Sequence, residues 1–187
     1  MSPHKIKIIG IDPGLTNLGI NMSSYDLKTG IVTVHNFDMI TSIALAKKEN
    51  KPDYKLYGNI IPLLFLEREI NRVYQEYQPD YVATEDAFYN PRTPNAFLSL
   101  KLCINAIERA LYPLGNTLYK IAPRAAKQCV VNGNANKEAI QEAIQKLPDL
   151  KIRKTKPLEQ MTEHEADSIG ITYAFTKLIL PDLILKK

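Results

Sequence analysis

Four side chains in this sequence have the type and the placement that divalent-metal chemistry needs: Asp12, Glu85, His164 and Asp167. Asp12 closes the β-branched, mostly apolar run Lys5 to Asp12 (KIKIIGID), and Pro13-Gly14 then turns the chain. Glu85 stands near the end of a second short run, Tyr81 to Asp86. If these runs are parallel neighbouring strands, the two carboxylates lie side by side at the carboxyl edge, where open α/β sheets bind ligands. Carboxylates held that close repel each other strongly unless a cation or a proton lies between them. Hard oxygen donors with positions left for water favour Mg²⁺, with Mn²⁺ as a substitute.

The other two groups come from Thr162-Glu163-His164-Glu165-Ala166-Asp167. Thr162 followed three residues later by Glu165 is a capping-box pattern, so a helix starts here. His164 and Asp167 are then spaced i, i+3 and share a face of its first turns. Ile171 and Ala174 continue that face and can pack on the sheet, aiming both side chains at the Asp12–Glu85 edge. The helix dipole disfavours a protonated imidazole at this end, leaving His164 neutral and able to bind metal. Each piece has a plainer reading: Asp-Pro-Gly as a turn, Glu85 as a solvated strand end, the acids as helix-start residues. Their combination, in this order on these elements, favours the site.

The elements that must position these groups follow from periodicity. Strand 1 is Lys5 to Asp12; Leu18, Ile20 and Met22 alternate on a second strand, and Asp26 to Gly30 turns it into a third, Ile31 to Phe37. Residues 41 to 57 are polar and lysine-bearing and read as a loop or insertion. A helix over about 59–77 carries Ile60, Leu63, Leu64, Ile70, Val73 and Tyr77 on one face, before strand 4 at Tyr81. Thr93-Pro94 opens a helix bearing Phe97, Leu100, Ile104, Ile107 and Leu111, and Thr117 to Ala122 is strand 5. Helices at Pro123 to Val131, Lys137 to Leu147 and about Glu163 to Leu178 follow, with a basic linker from Pro148 to Pro157. The pattern predicts one α/β domain over residues 1–187, a five-stranded mixed sheet of order 3-2-1-4-5 with helices on both faces.

Composition narrows the function classes. At 187 residues, 45% hydrophobic and 24% charged, the chain is an ordinary globular one with enough length for a core. No apolar run approaches the roughly 20 residues of a membrane-spanning helix. The opening Met-Ser-Pro-His-Lys leads straight into a strand pattern, so no signal peptide and a cytoplasmic location are expected. Cys103 and Cys129 lie in apolar, helix-like stretches and read as reduced packing residues. Three histidines without a Cys-x-x-Cys argue against structural zinc. Between residues 120 and 156, nine basic residues face three acidic ones, a local +6 where the whole chain carries +4. Concentrated basic charge fits a phosphate-backbone binder, and equally a solvated helical surface. Phe88 and Tyr89, followed at once by Asn90-Pro91-Arg92, read either as core or as exposed base-stacking aromatics beside a cation.

Gly10-Ile11-Asp12-Pro13-Gly14, Glu85 within ATEDAF, Pro123-Arg124-x-x-Lys127-Gln128-x-Val130-Val131 and His164-Glu165-Ala166-Asp167 together resemble the RuvC Holliday-junction resolvases, from about Lys5 to Ala174. That resemblance implies an RNase H-like fold and a homodimer that nicks a four-way DNA junction symmetrically with two divalent ions. Asp12, Glu85, His164 and Asp167 fall on the family's metal-ligand positions, where histidine and aspartate both occur at the place of His164. Phe88 falls where members place an aromatic near the crossover, and Lys127 and Lys137 on basic positions implicated in DNA contact; Tyr89, Arg92 and Arg124 join them as DNA-binding candidates. By two-metal logic one ion, held by Asp12 with Asp167 or His164, activates water; the other, held by Asp12 and Glu85, stabilises the leaving 3′ oxygen. The expected product carries a 5′-phosphate and a 3′-hydroxyl. Two stretches depart from the family pattern, residues 41 to 57 by length and Asn90 to Pro94 by its prolines.

Three other readings compete. The stretch Asp12 to Gly19 also resembles the phosphate loop of the actin and hexokinase group, but a second Asp-x-Gly and a duplicated half are missing from this sequence. A YqgF-type RNA-processing nuclease would share the fold, against which stand the length and the His-Glu-Ala-Asp helix. A non-catalytic junction-binding protein would need a broken metal site, whereas all four positions here are metal-competent.

Overall fold

The computed structural model describes residues 4–42, 44, 60–153 and 160–186. Along the chain run β1 (Lys5–Asp12), β2 (Asn17–Asp26), β3 (Val32–Thr41), α1 (Ile60–Tyr77), β4 (Tyr81–Glu85), α2 (Pro94–Leu111), β5 (Leu118–Ile121), α3 (Pro123–Val130), α4 (Lys137–Lys146), β6 (Leu150–Ile152), α5 (Glu163–Leu178) and α6 (Leu180–Leu185). The strands form one mixed sheet in the order β5-β4-β1-β2-β3-β6. β1, β2 and β3 pair antiparallel, while β4 runs parallel to β1, β5 to β4 and β6 to β3.

The expected order is present, with one strand more than the sequence pattern predicts. Leu150–Ile152, read as part of a basic linker, adds in parallel to β3, pairing Val32 with Leu150 and Val34 with Ile152. Three residues are too few to show an alternation, and the lysines around them mask it. Leu150 is nevertheless 8% exposed and belongs to the core. β3 also runs on to Thr41 after a register shift opposite Met22/Ser23 that leaves His35 outside the pairing. The rest of the 41 to 57 segment lies outside the described residues, apart from Ser42 and Ala44.

Helices cover both faces. On one, Leu66, Ile70 and Val73 of α1 and Cys103, Ile107 and Leu111 of α2 pack on Ile9, Ile11, Leu18, Ile20 and Val82. Leu64, expected on that packed face, is 56% exposed; Leu66 and Tyr74 take the buried positions instead. On the other face, α5 lies against β1, β2 and β3, and α3 and α4 cover it from outside. α5 is therefore enclosed nearly all round, from Glu165 to Thr176, the condition of a central helix. Its apolar residues join two clusters, one built around Ile8, Ala83 and Phe175, the other around Val32, Val34, Ile140, Ile144 and Ile169.

Candidate active site

Three elements deliver the four predicted groups to one edge of the sheet. In the β1–β4 pairing the last registered pair is Ile11 with Thr84, so Asp12 and Glu85 are the next residues on adjacent parallel strands. The Thr84 hydroxyl donates to the Ile11 carbonyl at 3.0 Å, locking the strands immediately before the two acids. α5 begins as its sequence predicts: Glu165 N–H donates to Thr162 Oγ1, and the Glu165 carboxylate accepts from Thr162 N–H at 2.7 Å, a complete capping box. Its first turn then meets β2 through glycine. A Cβ on Gly19 would come 1.9 Å from the His164 carbonyl oxygen, so only the missing side chain lets helix and strand touch.

His164 Nδ1 lies 2.7 Å from Asp12 Oδ2, in a pocket where both side chains are largely shielded. Its Nε2 lies 3.7 Å from Glu163. Asp167, one turn on, lines a narrow cleft together with Glu85, Lys127, Ala126, Val130 and Ile171. Glu85 feels this crowding. Burial first, then the negative charges of Asp12 and Asp167, push its carboxyl up to about 7, with Lys127 acting in the opposite sense. Like charges converging on a shielded carboxyl are the electrostatic condition that a divalent cation relieves.

The donor set is three carboxylates and one imidazole, which suits a hard divalent ion. Among the described residues, no three His, Cys, Asp or Glu side chains converge tightly enough to form a finished ligand shell. The groups meet instead as Asp12 with His164, and Glu85 with Asp167 beside it. The chemistry of the donors fits a metal.

The DNA-binding candidates divide. Phe88 is 71% exposed just past Glu85. Tyr89 is also exposed, at 56%, and stacks edge-on against Phe97, with ring centroids 5.4 Å apart. Lys101 bonds Asp86 at 3.3 Å and sits over the Phe97 ring, tying the aromatic loop to α2. Arg92 is exposed in that loop, where Asn90 Oδ1 accepts from its backbone N–H. Lys127 lies beside the acids; Arg124 is exposed on the same helix, and Lys137 is the first residue of α4. Among the described basic residues between 120 and 156, Lys120 pairs with Glu108 and Lys146 with Glu142, and Lys151 lies on β6 at the far edge of the sheet; Lys154 and Lys156 lie outside the described residues.

Sequence reasoning missed a polar knot behind the acids. Asn21 is fully buried and hydrogen-bonds Gly10, Ser23, Ser168 and Thr172. Asn21 alternates with Leu18, Ile20 and Met22 and so reads as outward-facing, with no signal in the sequence of its burial under α5. Both cysteines are free, as expected, and burial pushes the Cys103 thiol up to about 12. No helix among the described residues is long and apolar enough to cross a membrane.

Comparison with known proteins agrees on family and fold. Residues 8–173 match the family model for crossover junction endodeoxyribonuclease RuvC. The chain is 29% identical to the RuvC protein of Finegoldia magna over 147 residues, covering 74% of this chain and 77% of the relative. It is 29% identical to that of Alkaliphilus oremlandii over 176 residues, covering 90% and 93%. A solved Thermus thermophilus RuvC, in complex with a Holliday junction substrate, shares its fold with a TM-score of 0.68 at 19% identity, covering 90% of this chain and 92% of that one.

Proposed function

The chain belongs to the RuvC family of crossover junction endodeoxyribonucleases, and from that premise we propose that it resolves four-way (Holliday) DNA junctions by paired, symmetric nicks. The observation that carries the reading is the convergence of Asp12, Glu85, His164 and Asp167 from β1, β4 and α5 at one sheet edge, with His164 2.7 Å from Asp12. These four side chains are the proposed metal ligands, for two Mg²⁺ ions that Mn²⁺ can replace. When bound, the ions supply Lewis acidity, which makes water a nucleophile near neutral pH and offsets charge on the leaving 3′ oxygen.

The chain's own groups do the rest. Asp12, the last residue of β1, has Glu85 on the neighbouring strand and His164 at 2.7 Å, and serves both sides of the edge. Burial and the neighbouring acids make Glu85 reluctant to ionise alone, so a cation bound there would take the place of its proton, and affinity would rise with pH. Lys127, lining the cleft beside Glu85 and Asp167, is placed to hold a backbone phosphate against the acids, as a point charge on a flexible stem. Arg124, exposed on α3, extends the basic surface, and Lys137, the first residue of α4, is the further candidate for DNA contact. Phe88, exposed beyond Glu85 on a loop braced by Tyr89–Phe97 and Lys101–Asp86, offers a ring on which an unpaired base at the crossover stacks. Arg92 adds a cation to that loop. Two such edges in a homodimer give the two nicks.

The test is cleavage of a synthetic four-way junction with linear duplex as control, with Mg²⁺ and with chelator. The wild-type chain is expected to cut only the junction and only with metal, leaving a 5′-phosphate and a 3′-hydroxyl. Asp12→Asn is expected to lose cleavage by about a thousandfold or more while binding the junction as tightly or tighter, because it removes one acidic charge and leaves the basic surface unchanged. An Asp12→Asn protein as active as wild type would remove the site.

A further inference from the structure

The proposed ligands lie on separate elements, and something must hold α5 in one setting against β1. Apolar packing is non-directional, and sliding a helix by one residue moves its side chains by about 1.5 Å and turns them by about 100°. A functional constellation tolerates roughly 0.5 Å. The structure contains a directional tie at this place. Asn21, on β2 opposite Gly10 of β1, is 0% exposed and points at α5. Its Nδ2 donates to the Ser168 carbonyl at 2.7 Å, to Thr172 Oγ1 at 3.0 Å and, more weakly, to the Gly10 carbonyl at 3.3 Å. Its Oδ1 accepts from Ser23 Oγ at 2.6 Å and from Thr172 Oγ1 at 3.1 Å.

These contacts bracket the acids. Ser168 directly follows Asp167, and Gly10 lies two residues before Asp12 on the same face of β1. The approach is as close as backbone allows: a Cβ on Gly10 would come 2.1 Å from Thr172 Oγ1, 2.5 Å from Asn21 Nδ2 and 2.6 Å from the Ser168 carbonyl. A lone buried amide between sheet and helix is unfavourable unless its bonds are met. Here they are met: the bonds to Ser168 and Thr172 fix the rotation and height of α5, and those to Gly10 and Ser23 hold the amide itself on the sheet.

We propose that Asn21 is a positioning residue: through Ser168, Thr172 and Gly10 it sets α5 against β1 so that His164 and Asp167 face Asp12 and Glu85, and divalent-ion affinity depends on it while DNA affinity does not. This rests on reading those four groups as metal ligands. Asn21 itself touches neither metal nor substrate.

The experiment titrates Mn²⁺ into the metal-free full-length chain by calorimetry, and measures junction binding in chelator. The variants are Asn21→Leu, which keeps the volume and removes the hydrogen bonds, Thr172→Val, Thr172→Ser, Asp12→Asn, and Val73→Ala from the core on the opposite face. Asn21→Leu is expected to weaken Mn²⁺ binding about tenfold or more, the usual effect of losing a group that orients ligands, with junction affinity within about twofold of wild type. Thr172→Val should show a smaller loss, and Thr172→Ser, which keeps the hydroxyl, should bind nearly as wild type. Should Asn21→Leu fail to fold, the Thr172 pair carries the comparison. The proposal is overturned if folded Asn21→Leu binds Mn²⁺ within about twofold of wild type, if Thr172→Val and Thr172→Ser do not differ, or if Val73→Ala at a matched melting temperature loses as much. Asp12→Asn separates the two levels. If Asp12→Asn loses Mn²⁺ binding and Asn21→Leu does not, only the positioning role falls; unchanged binding in Asp12→Asn removes the metal site and the positioning role with it.

Discussion

His164 is the residue whose role the geometry constrains most sharply. Its Nδ1 is 2.7 Å from Asp12, so three roles are distinguishable: metal ligand, general base, or a helix-start residue bonded to an acid. A ligand position needs a lone pair at the first turn of α5, which aspartate can supply through a hard oxygen. His164→Asp should therefore keep substantial cleavage, with a raised metal requirement, and His164→Ala should lose most of it. A general base would behave differently, since the ordinary pKa of aspartate, about 3.9, lies far below the roughly 6.5 of histidine. Measuring both variants across a Mg²⁺ and Mn²⁺ titration separates the cases. Rescue of His164→Asp at high metal supports the ligand role, and full activity of His164→Ala removes the residue from the site. The four candidate residues were legible because they stand together, in order, at two strand ends and one helix start, although acids alone are common at a helix start. Asn21 was not, because a buried amide reveals its purpose only when its partners, 147 and 151 residues away, are brought beside it.

At the scale of elements, the strands and helices that carry long periodic patterns were legible, and the short or crowded ones were not. α2 begins at Pro94 as its Thr-Pro start predicts, although Thr93 forms no side-chain cap; the proline alone sets the start. β6 escaped notice because its three residues make sense only beside Val32 and Val34. That α5 packs on the sheet was legible from Ile171 and Ala174, but the closeness of its approach was hidden, since glycine in a sequence does not say what it is close to. Two glycines now predict opposite outcomes. Gly19→Ala puts a Cβ 1.9 Å from the backbone oxygen of His164, an atom that cannot swing aside, so α5 must shift. Gly19→Ala should destabilise the fold by roughly 1–3 kcal/mol or more and depress cleavage. Gly170, inside α5, would meet only Val130 Cγ2 at 3.4 Å. Gly170→Ala should leave stability unchanged or raise it by up to about 1 kcal/mol, from helix propensity. Urea melts of the two variants check both signs, and a stable, fully active Gly19→Ala would contradict the close approach.

Across the whole molecule, charge is distributed unevenly, and stability should register it. His35, on β3 beyond the register shift, lies against Ser24 Oγ at 2.7 Å. Burial first, then the positive charges of Arg153, Lys5 and Lys7, hold it below the ordinary histidine range. Between its lowered folded pKa and its unfolded value near 6.5, the unfolded chain binds more protons, so stability falls as pH drops through that window. Acidification from about pH 7.5 to about pH 5.5 should lower the melting temperature less in His35→Gln than in wild type; equal losses would exclude His35 as the cause. Assembly is the other whole-molecule consequence. One chain presents one acidic edge, whereas symmetric nicking of opposed strands needs two, related by a two-fold axis. The interface is expected on α2 between Phe97 and Leu111, where Leu98 is 59% exposed and the buried residues begin only at Cys103. Wild type should sediment as a dimer and convert a supercoiled cruciform plasmid directly to linear product, since both nicks fall within one binding event. Leu98→Glu places a charge at the expected contact without touching the acids. It should sediment as a monomer and yield nicked circles, with linear product recovering only at high protein concentration. A wild-type chain that is monomeric both free and on the junction, yet still linearises the plasmid, would show that one edge suffices.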